Sequence, residues 1–504
     1  MGNRLWTITA GAMLLATSAL AQQPGTPYEM GKTRVKDVWI DFKAGNDANS
    51  GAQNAPLKTL AEAWRRIPRN TPLDTGYHLH LQAGIYPEIA LPEYLESVWG
   101  TREAPIIISG AGRDKTILAG DLNVFDTRYF YLLNLTMRPS PAGDVFHCEK
   151  CSHVLVRNVE MDGGRWKKRS SDQEAQAFET FKANQSEHIY LENSDFHGAQ
   201  DNAIDFVAVQ HAHLIGNRIH DTQSWCSYAK GGSAYIVVRD NEIFDCEEGG
   251  YTAGQGAGYQ YMVSPWLHYE AYDIKVVNNF IHDVWGAGLG VNGGYNILLA
   301  NNTLYRVGGR SHTIEVLFGG RSCDPGDDRS KCTTYSQQGG WGNTLNTDDY
   351  VRIPSKNVLI YNNLIVNPPD FKTGEYFQFL TIPGPFSSPT QNRAPNPAHV
   401  DAGLQIRGNV FWFERPDIPV GIEGEDQGCQ QGNPTCNLQQ LLKDNHFNTL
   451  KPEFFNAAAG DFRLKQPVSG IPVPNFSTWD VFAPVVPTGD LNNTRWTAPT
   501  VGRP

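Results

Sequence analysis

Apolar and polar positions fall into one recurring pattern along most of the chain: a short apolar, often β-branched run that closes on an asparagine. The runs are FYLLN ending at Asn134, VLVRN at Asn158, IYLEN at Asn193, HLIGN at Asn217, IVVRDN at Asn241, IKVVNN at Asn279, ILLANN at Asn302, VLIYNN at Asn363 and LQIRGN at Asn409. An apolar-x-apolar pair follows most of them, as in RIHD, EIFD and FIHD. The steps 134 to 158, 193 to 217 and 217 to 241 are each 24 residues, and 279 to 302 is 23. Runs this short, with no helical period between them, predict strands but not strand–helix–strand units. Their near-constant spacing predicts a solenoid whose coils carry three short strands, each pairing with its equivalents above and below. An asparagine at a sharp corner tolerates left-handed backbone, and its amide can bond the next asparagine in a ladder. Asn193, Asn217 and Asn241 are therefore expected to superpose, one coil apart. An ordinary β-sandwich would not require equal spacing.

The flanks add to this. The segment beginning VWIDFKAGNDANSGAQNAPLKTLAEAWRR at Val38 holds a strand, a Gly/Asn loop and one helical stretch, and LQAGIYPE follows it. Near the other end lies FFNAAAGDFRLKQPVSG, residues 454–470. These segments resemble the entry and closing segments of the secreted right-handed parallel β-helix, or pectin-lyase-like, superfamily. The resemblance implies an all-β, right-handed parallel β-helix with an Asn ladder, one N-terminal capping helix and long loop insertions. The helix domain is expected over 38–470, after a linker at 22–37 and before a Pro-rich tail at 471–504. The insertions 247–272, 306–354 and 367–400 are rich in Gly, Tyr, Trp and Pro, and are expected to wall a binding surface. Aromatics such as Trp225, Tyr251, Trp266, Trp285 and Trp341 are candidates to stack on sugar rings, or else pack between loops.

Residues 1–21, MGNRLWTITAGAMLLATSALA, read as a secretory signal peptide, with Arg4 before an apolar run that ends in small residues. Export, to the extracellular space or a periplasm, permits disulfides. Four local pairings of the eight cysteines are attractive: Cys148–Cys151, Cys226–Cys246, Cys323–Cys332 and Cys429–Cys436. No later segment is apolar enough to span a bilayer. The formal net charge is −11 and no Lys/Arg run stands out, so neither a nucleic-acid nor a membrane partner is expected. The protein is expected to act as a monomer on an acidic polysaccharide, through local cations or a bridging metal.

Counting back from the asparagines brings chemistry together. Lys230, in YAKGGSAY, falls on the strand before the turn, with Asp201 and Asp205 of QDNAIDF one coil below and Glu179 of AFETFKAN a further coil down. Arg239 lies on the next strand of the Lys230 coil. Carboxylates with two cations suit β-elimination on a uronic acid, where neutralising the carboxylate stabilises the enolate-like intermediate and a base removes the C5 proton. Asp201, Asp205 and Glu179 would hold Ca²⁺ through oxygen ligands. The fragments Asp201-Asn202-Ala203-Ile204-Asp205 and Lys230-Gly231-Gly232 resemble the calcium motif and lysine-base motif of family 9 pectate lyases. That resemblance implies a calcium-assisted lyase with Lys230 as base. Lys230 with Arg239 is similar to the Lys/Arg set of β-helix alginate and chondroitin lyases, making Arg239 an assisting cation.

Gap-free counting places Asp205 12 residues before Asn217 but Lys230 11 before Asn241, on opposite strand faces unless a bulge or a longer turn intervenes. Among the histidines His147, His220, His268, His282 and His312, the best candidate base is His312, beside Arg310 and Glu315. Two other functions stay open. One is an inverting glycoside hydrolase with paired carboxylates, such as Asp201 with Asp205. The other is a non-catalytic glycan-binding protein.

Overall fold

The computed structural model describes residues 25–473, apart from 139–142, 165–176, 324–328, 343–350, 388–392, 416, 458–460 and 467. The proposed signal peptide and most of the C-terminal tail lie outside the described residues. Strands stack in parallel, coil upon coil, around one long apolar interior that runs from Val38 to Leu441. A representative coil carries Trp225–Lys230, Ser233–Arg239 and Glu242–Cys246, and the next carries Gly249–Ala253, Ala271–Val277 and Phe280–Val284. Each coil thus has three faces. Among the described residues, two of them merge into a 22-stranded sheet that bends at the asparagine corner, and the third is a separate ten-stranded sheet.

That corner holds two asparagine rows where the spacing predicts one. Asn217 donates to Asn241 at 3.0 Å, Asn241 to Asn279 at 2.9 Å, and Asn279 to Asn302 at 3.0 Å. Asn363, Asn409 and Asn445 continue the ladder at 2.9 Å per rung. Asn193 is one residue out of step. It belongs to an outer row with positive φ, together with Asn134, Asn158, Asp240, Asn278, Asn301 and Asn362. The rung below Asn217 is Ser194, whose backbone N–H donates to Asn217 Oδ1. One row supplies left-handed corners and the other the buried amide chain.

The capping helix is Leu60–Arg65, N-capped by the Thr59 side chain. Two further helices, Arg329–Ser336 and Leu438–Asp444, were not expected. The chain joins the fold earlier than the predicted linker boundary. Tyr28 is buried, stacks on Tyr190 at 4.6 Å and shares a 2.9 Å hydrogen bond with Tyr131. The first strand, Val35–Ile40, begins before residue 38. At the other end, Ile471 exchanges backbone hydrogen bonds with the Asn362 side chain, so the predicted tail begins as part of the fold.

Three of the four expected disulfides form: Cys226–Cys246, Cys323–Cys332 and Cys429–Cys436, with Cα separations of 5.4, 6.0 and 4.8 Å. Cys148 and Cys151 are instead free thiols, both buried in the core. No helix among the described residues is long and apolar enough to cross a membrane.

Candidate active site

The ten-stranded sheet carries the site. On its outer face, parallel register sets His147 beside Lys182, Lys182 beside Asp205, and Asp205 beside Tyr228. One level along, Asn184, Val207 and Lys230 form the adjoining row. Successive coils are about 4.8 Å apart, so these side chains make one continuous patch.

Lys230 and Asp205 share this face because of the Gly-Gly turn. Val207 pairs with Lys230, a step of 23 residues, while Gln210 pairs with Ala234, a step of 24. The extra residue sits in the turn Gly231-Gly232, where φ is +66° and +83°. A side chain at Gly232 would place its Cβ 2.2 Å from the Trp266 carbonyl oxygen, so glycine is required there on two counts. The turn is held from outside. The Gly231 N–H donates to Glu270 Oε2 at 2.9 Å, and Glu270 accepts from Arg321 Nε at 3.0 Å. Both partners of this ion pair are fully buried. Arg321 also donates to the carbonyls of Leu267, His268 and Trp341, tying two insertions to the Lys230 turn.

Those insertions wall the groove, as their composition predicts. Gly256–Gly258 pairs with Gly319–Ser322, which pairs with Val351–Ile353, in a small sheet of its own. The strand Gly249–Ala253, counted within the first insertion from sequence, is instead part of the ten-stranded sheet. Gln185 donates to the Tyr261 carbonyl, closing the wall over the coils below. The result is a cavity of about 520 Å³ lined by Lys182, Asp205, Lys230, Tyr261, Ser322 and the backbone of 256–258.

The two lysines in the cavity have unequal surroundings. Lys182 Nζ lies 3.1 Å from Glu179 Oε1 and 3.7 Å from Asp205 Oδ2. Burial works against its charge, but Asp205, Glu179 and Asp144 outweigh it and hold the ammonium above the ordinary lysine range. Lys230 Nζ donates to Tyr228 Oη at 2.8 Å and lies 4.2 Å from that ring's centroid. Burial pushes the Tyr228 phenol well above its ordinary value, with Asp205, Asp201 and Glu179 adding to the effect, so it stays protonated.

Asp144 was missed from sequence. It accepts from the Glu179 backbone N–H at 3.3 Å, across a step of 35 residues that breaks the period. Burial, then Asp144, pushes the Glu179 carboxyl up to about 9. Four buried polar atoms of this patch find no hydrogen-bond partner among the described residues: Glu179 Oε2, Asp205 Oδ1, Asn184 Oδ1 and His147 Nε2. Burial lowers the His147 imidazole pKa, leaving it neutral.

The remaining predicted residues divide. Asp201 stands at the edge of the patch, and burial raises its carboxyl although Lys230 opposes the shift. Arg239 is not brought to the groove. It ends a strand of the other sheet, donates to the Gly25 carbonyl and pairs with Asp240. His312 lies on the groove sheet but farther along the solenoid, with Nε2 2.8 Å from Glu315 Oε2 and Nδ1 2.8 Å from Ser311 Oγ. It is a closed pair at a distance from Lys230.

The expected calcium trio does not fit. Glu179 and Asp205 flank the Lys182 ammonium, which stands where a cation would be needed. Among the described residues, convergent three-ligand groups occur at Asp37–His78–His80 and Glu160–Asp162–His197, and not at Asp201, Asp205 and Glu179. Asn202 is buried, and its amide N–H donates to the Trp225 carbonyl at 2.8 Å while its Oδ1 has no hydrogen-bond partner among the described residues.

A family model described as the right handed beta helix region matches residues 147–323, the span that holds this groove. The chain is a right-handed parallel β-helix. Comparison with curated protein sequences gives no match. Among solved structures, a rhamnogalacturonan lyase is similar at 12% identity and TM-score 0.39, covering 74% of this chain and 87% of that one. The A-module of the Azotobacter vinelandii mannuronan C-5 epimerase AlgE4 gives 12% and 0.39, covering 74% of this chain and 100% of that one. The GH136 lacto-N-biosidase from Eubacterium ramulus gives 13% and 0.41, covering 82% of this chain and 66% of that one.

Proposed function

We propose that this β-helix is an exported carbohydrate-active enzyme whose groove takes an acidic polysaccharide, and that it cleaves a uronic-acid polymer by β-elimination. The observation that carries the reading is the pair of unequal lysines in one cavity, Lys182 among carboxylates and Lys230 on a phenol. In this reading the permanent charge of Lys182 faces the uronate carboxylate and stabilises the enolate-like intermediate. Lys230, as the neutral amine, takes the C5 proton. The C4–C5 double bond forms as the C4–O4 bond breaks, and the leaving oxygen collects a proton from water. Tyr228, kept protonated, fixes the direction of the Lys230 side chain. The three disulfides support export, since they persist in an oxidising compartment.

The test is incubation with polygalacturonate and with alginate, reading the ultraviolet absorbance of the unsaturated product. New reducing ends without that absorbance would overturn the elimination. Deuterium entering C5 from heavy water without cleavage would show the same proton abstraction ending in epimerisation.

A second reading rests on Glu179. A carboxyl held protonated to about 9 by burial and by Asp144 is how a glycoside hydrolase provides its general acid. Hydrolysis would then fall as pH rises through about 9.

A further inference from the structure

At the first coils, far along the solenoid from the groove, two neighbouring strands present a second constellation. Val35–Ile40 pairs with Gly76–Leu81 in register Asp37 to His78 and Trp39 to His80. Side chains alternate along a strand, so Asp37, His78 and His80 share one outward face. His80 Nε2 lies 2.8 Å from Asp37 Oδ1, and His78 Nδ1 lies 3.9 Å from the same oxygen. One ligand atom from each of the three residues lies within 4.8 Å of the other two.

The surroundings favour a metal over an ordinary ion pair. The other nitrogen of His78, Nε2, is 2.8 Å from Ser109 Oγ on the next strand. Such a hydroxyl fixes which imidazole nitrogen stays free for a ligand bond. Trp39 stacks on the His80 ring at 4.3 Å and 13°, which sets that ring's plane. Among the described residues no lysine or arginine is ion-paired with Asp37. The comparable group Glu160–Asp162–His197 is different, because Arg138 Nε stands 3.1 Å from Asp162 and Thr136 donates to Glu160.

We infer that Asp37, His78 and His80 form a binding site for a divalent transition-metal ion of the zinc class. Two imidazoles and one carboxylate are the donor set such ions take, with the remaining positions filled by water on this half-exposed face. The ion would tie the first two strands together at the end of the solenoid, where a coil has a neighbour on one side only.

The experiment uses the full chain, stripped with a chelator, dialysed, and titrated with Zn²⁺ by calorimetry, with melting temperature followed in parallel. One Zn²⁺ per chain and a raised melting temperature are expected. His80→Ala and His78→Ala should each weaken binding at least about tenfold, and Ser109→Ala about tenfold through the His78 ring, while Glu160→Ala leaves it unchanged. Matching circular dichroism of the stripped variants and parent establishes that the fold is intact. No saturable binding, or equal affinity in a His78→Ala/His80→Ala double variant of intact fold, overturns the site. Loss of binding in Glu160→Ala instead would move it to the other group.

Discussion

Two outward faces of the solenoid carry buried charge, and they differ in whether their hydrogen bonds close. On the face next to the groove sheet, His197, His220, Phe244 and His282 stack in file, with centroid distances of 4.9, 4.4 and 4.9 Å and tilts of 4°, 12° and 4°. Each central imidazole is gripped on both sides. His220 meets Asp195 at 2.9 Å and Asp221 at 2.8 Å, and His282 meets Asp283 at 2.9 Å and Glu242 at 3.4 Å. Arg218 bridges Asp195 and Glu242, and Arg306 completes Asp283. None of these groups has an orphaned buried atom, whereas the groove has four in one patch. A buried polar network with every member paired strengthens a fold, and an unpaired buried atom is costly. The stripe therefore reads as scaffold, and the groove as a surface completed by a ligand.

The comparison breaks most visibly at Lys230. Lys230→Ala is expected to lower kcat on the true substrate by at least about a hundredfold, the low end for a positioned base. Arginine is not expected to rescue it, because a guanidinium stays protonated. His220→Gln, on the closed face, is expected to leave turnover at the parent level. Equal losses from both variants would show that the difference in closure does not mark function.

A second contrast lies beneath the groove, at the pair that holds the Lys230 turn. Arg321→Met leaves Glu270 buried without its partner and is expected to cost about 3–5 kcal/mol of stability, read from denaturant midpoints. Replacing both, as Glu270→Met with Arg321→Met, is expected to restore much of that stability. Turnover is not expected to return with it, because the Gly231 N–H loses its acceptor. A double variant with parental kcat would dissociate this pair from the placement of Lys230.

Much of the fold was legible because a solenoid repeats its constraints. Each coil restates the apolar alternation, so the strands and most ladder asparagines are readable from spacing alone. Asn193 misled because outer corners and inner rungs both favour asparagine, one residue apart, and only the pairing of Ser194 with Asn217 separates them. At the site, counting coils brought Asp205 and Lys230 close, but their common face depends on one extra residue in a Gly-Gly turn. Arg239 failed for a related reason: the chain turns a corner between Lys230 and Arg239, and sequence proximity does not survive it. Asp144 had no period to betray it, since an insertion separates it from Glu179.

The closed face should reveal itself through pH. Burial opposes the His220 charge, but Asp195 and Asp221 raise its pKa from 6.5 to about 9. A raised value means the contribution is fully present below pH 6.5 and is lost as pH rises through about 9. At about 1.4 kcal/mol per unit, its ceiling is roughly 3 kcal/mol. Denaturant midpoints between neutral and alkaline pH are expected to fall, and to fall less in His220→Gln. A flat parental profile would mean that the stripe does not hold its imidazolium.

The smallest expected effect is the most specific to the groove. Chelator treatment is expected to leave turnover unchanged. Lys182 Nζ, 3.1 Å from Glu179 and 3.7 Å from Asp205, already supplies the positive charge at the carboxylates from which a metal would be held. The acids in turn keep that lysine protonated, so its charge persists across the working pH range. The same chelator is expected to strip a metal from Asp37, His78 and His80 and lower the melting temperature, so one experiment separates the two regions: stability responds and kcat does not. Lys182→Met should then reverse the dependence, since Asp144, Glu179 and Asp205 without the ammonium leave a cluster of oxygen ligands into which a divalent ion can bind, displacing the Glu179 proton. Loss of parental activity with EDTA, restored by Ca²⁺, would overturn the assignment of Lys182 as the groove's resident cation.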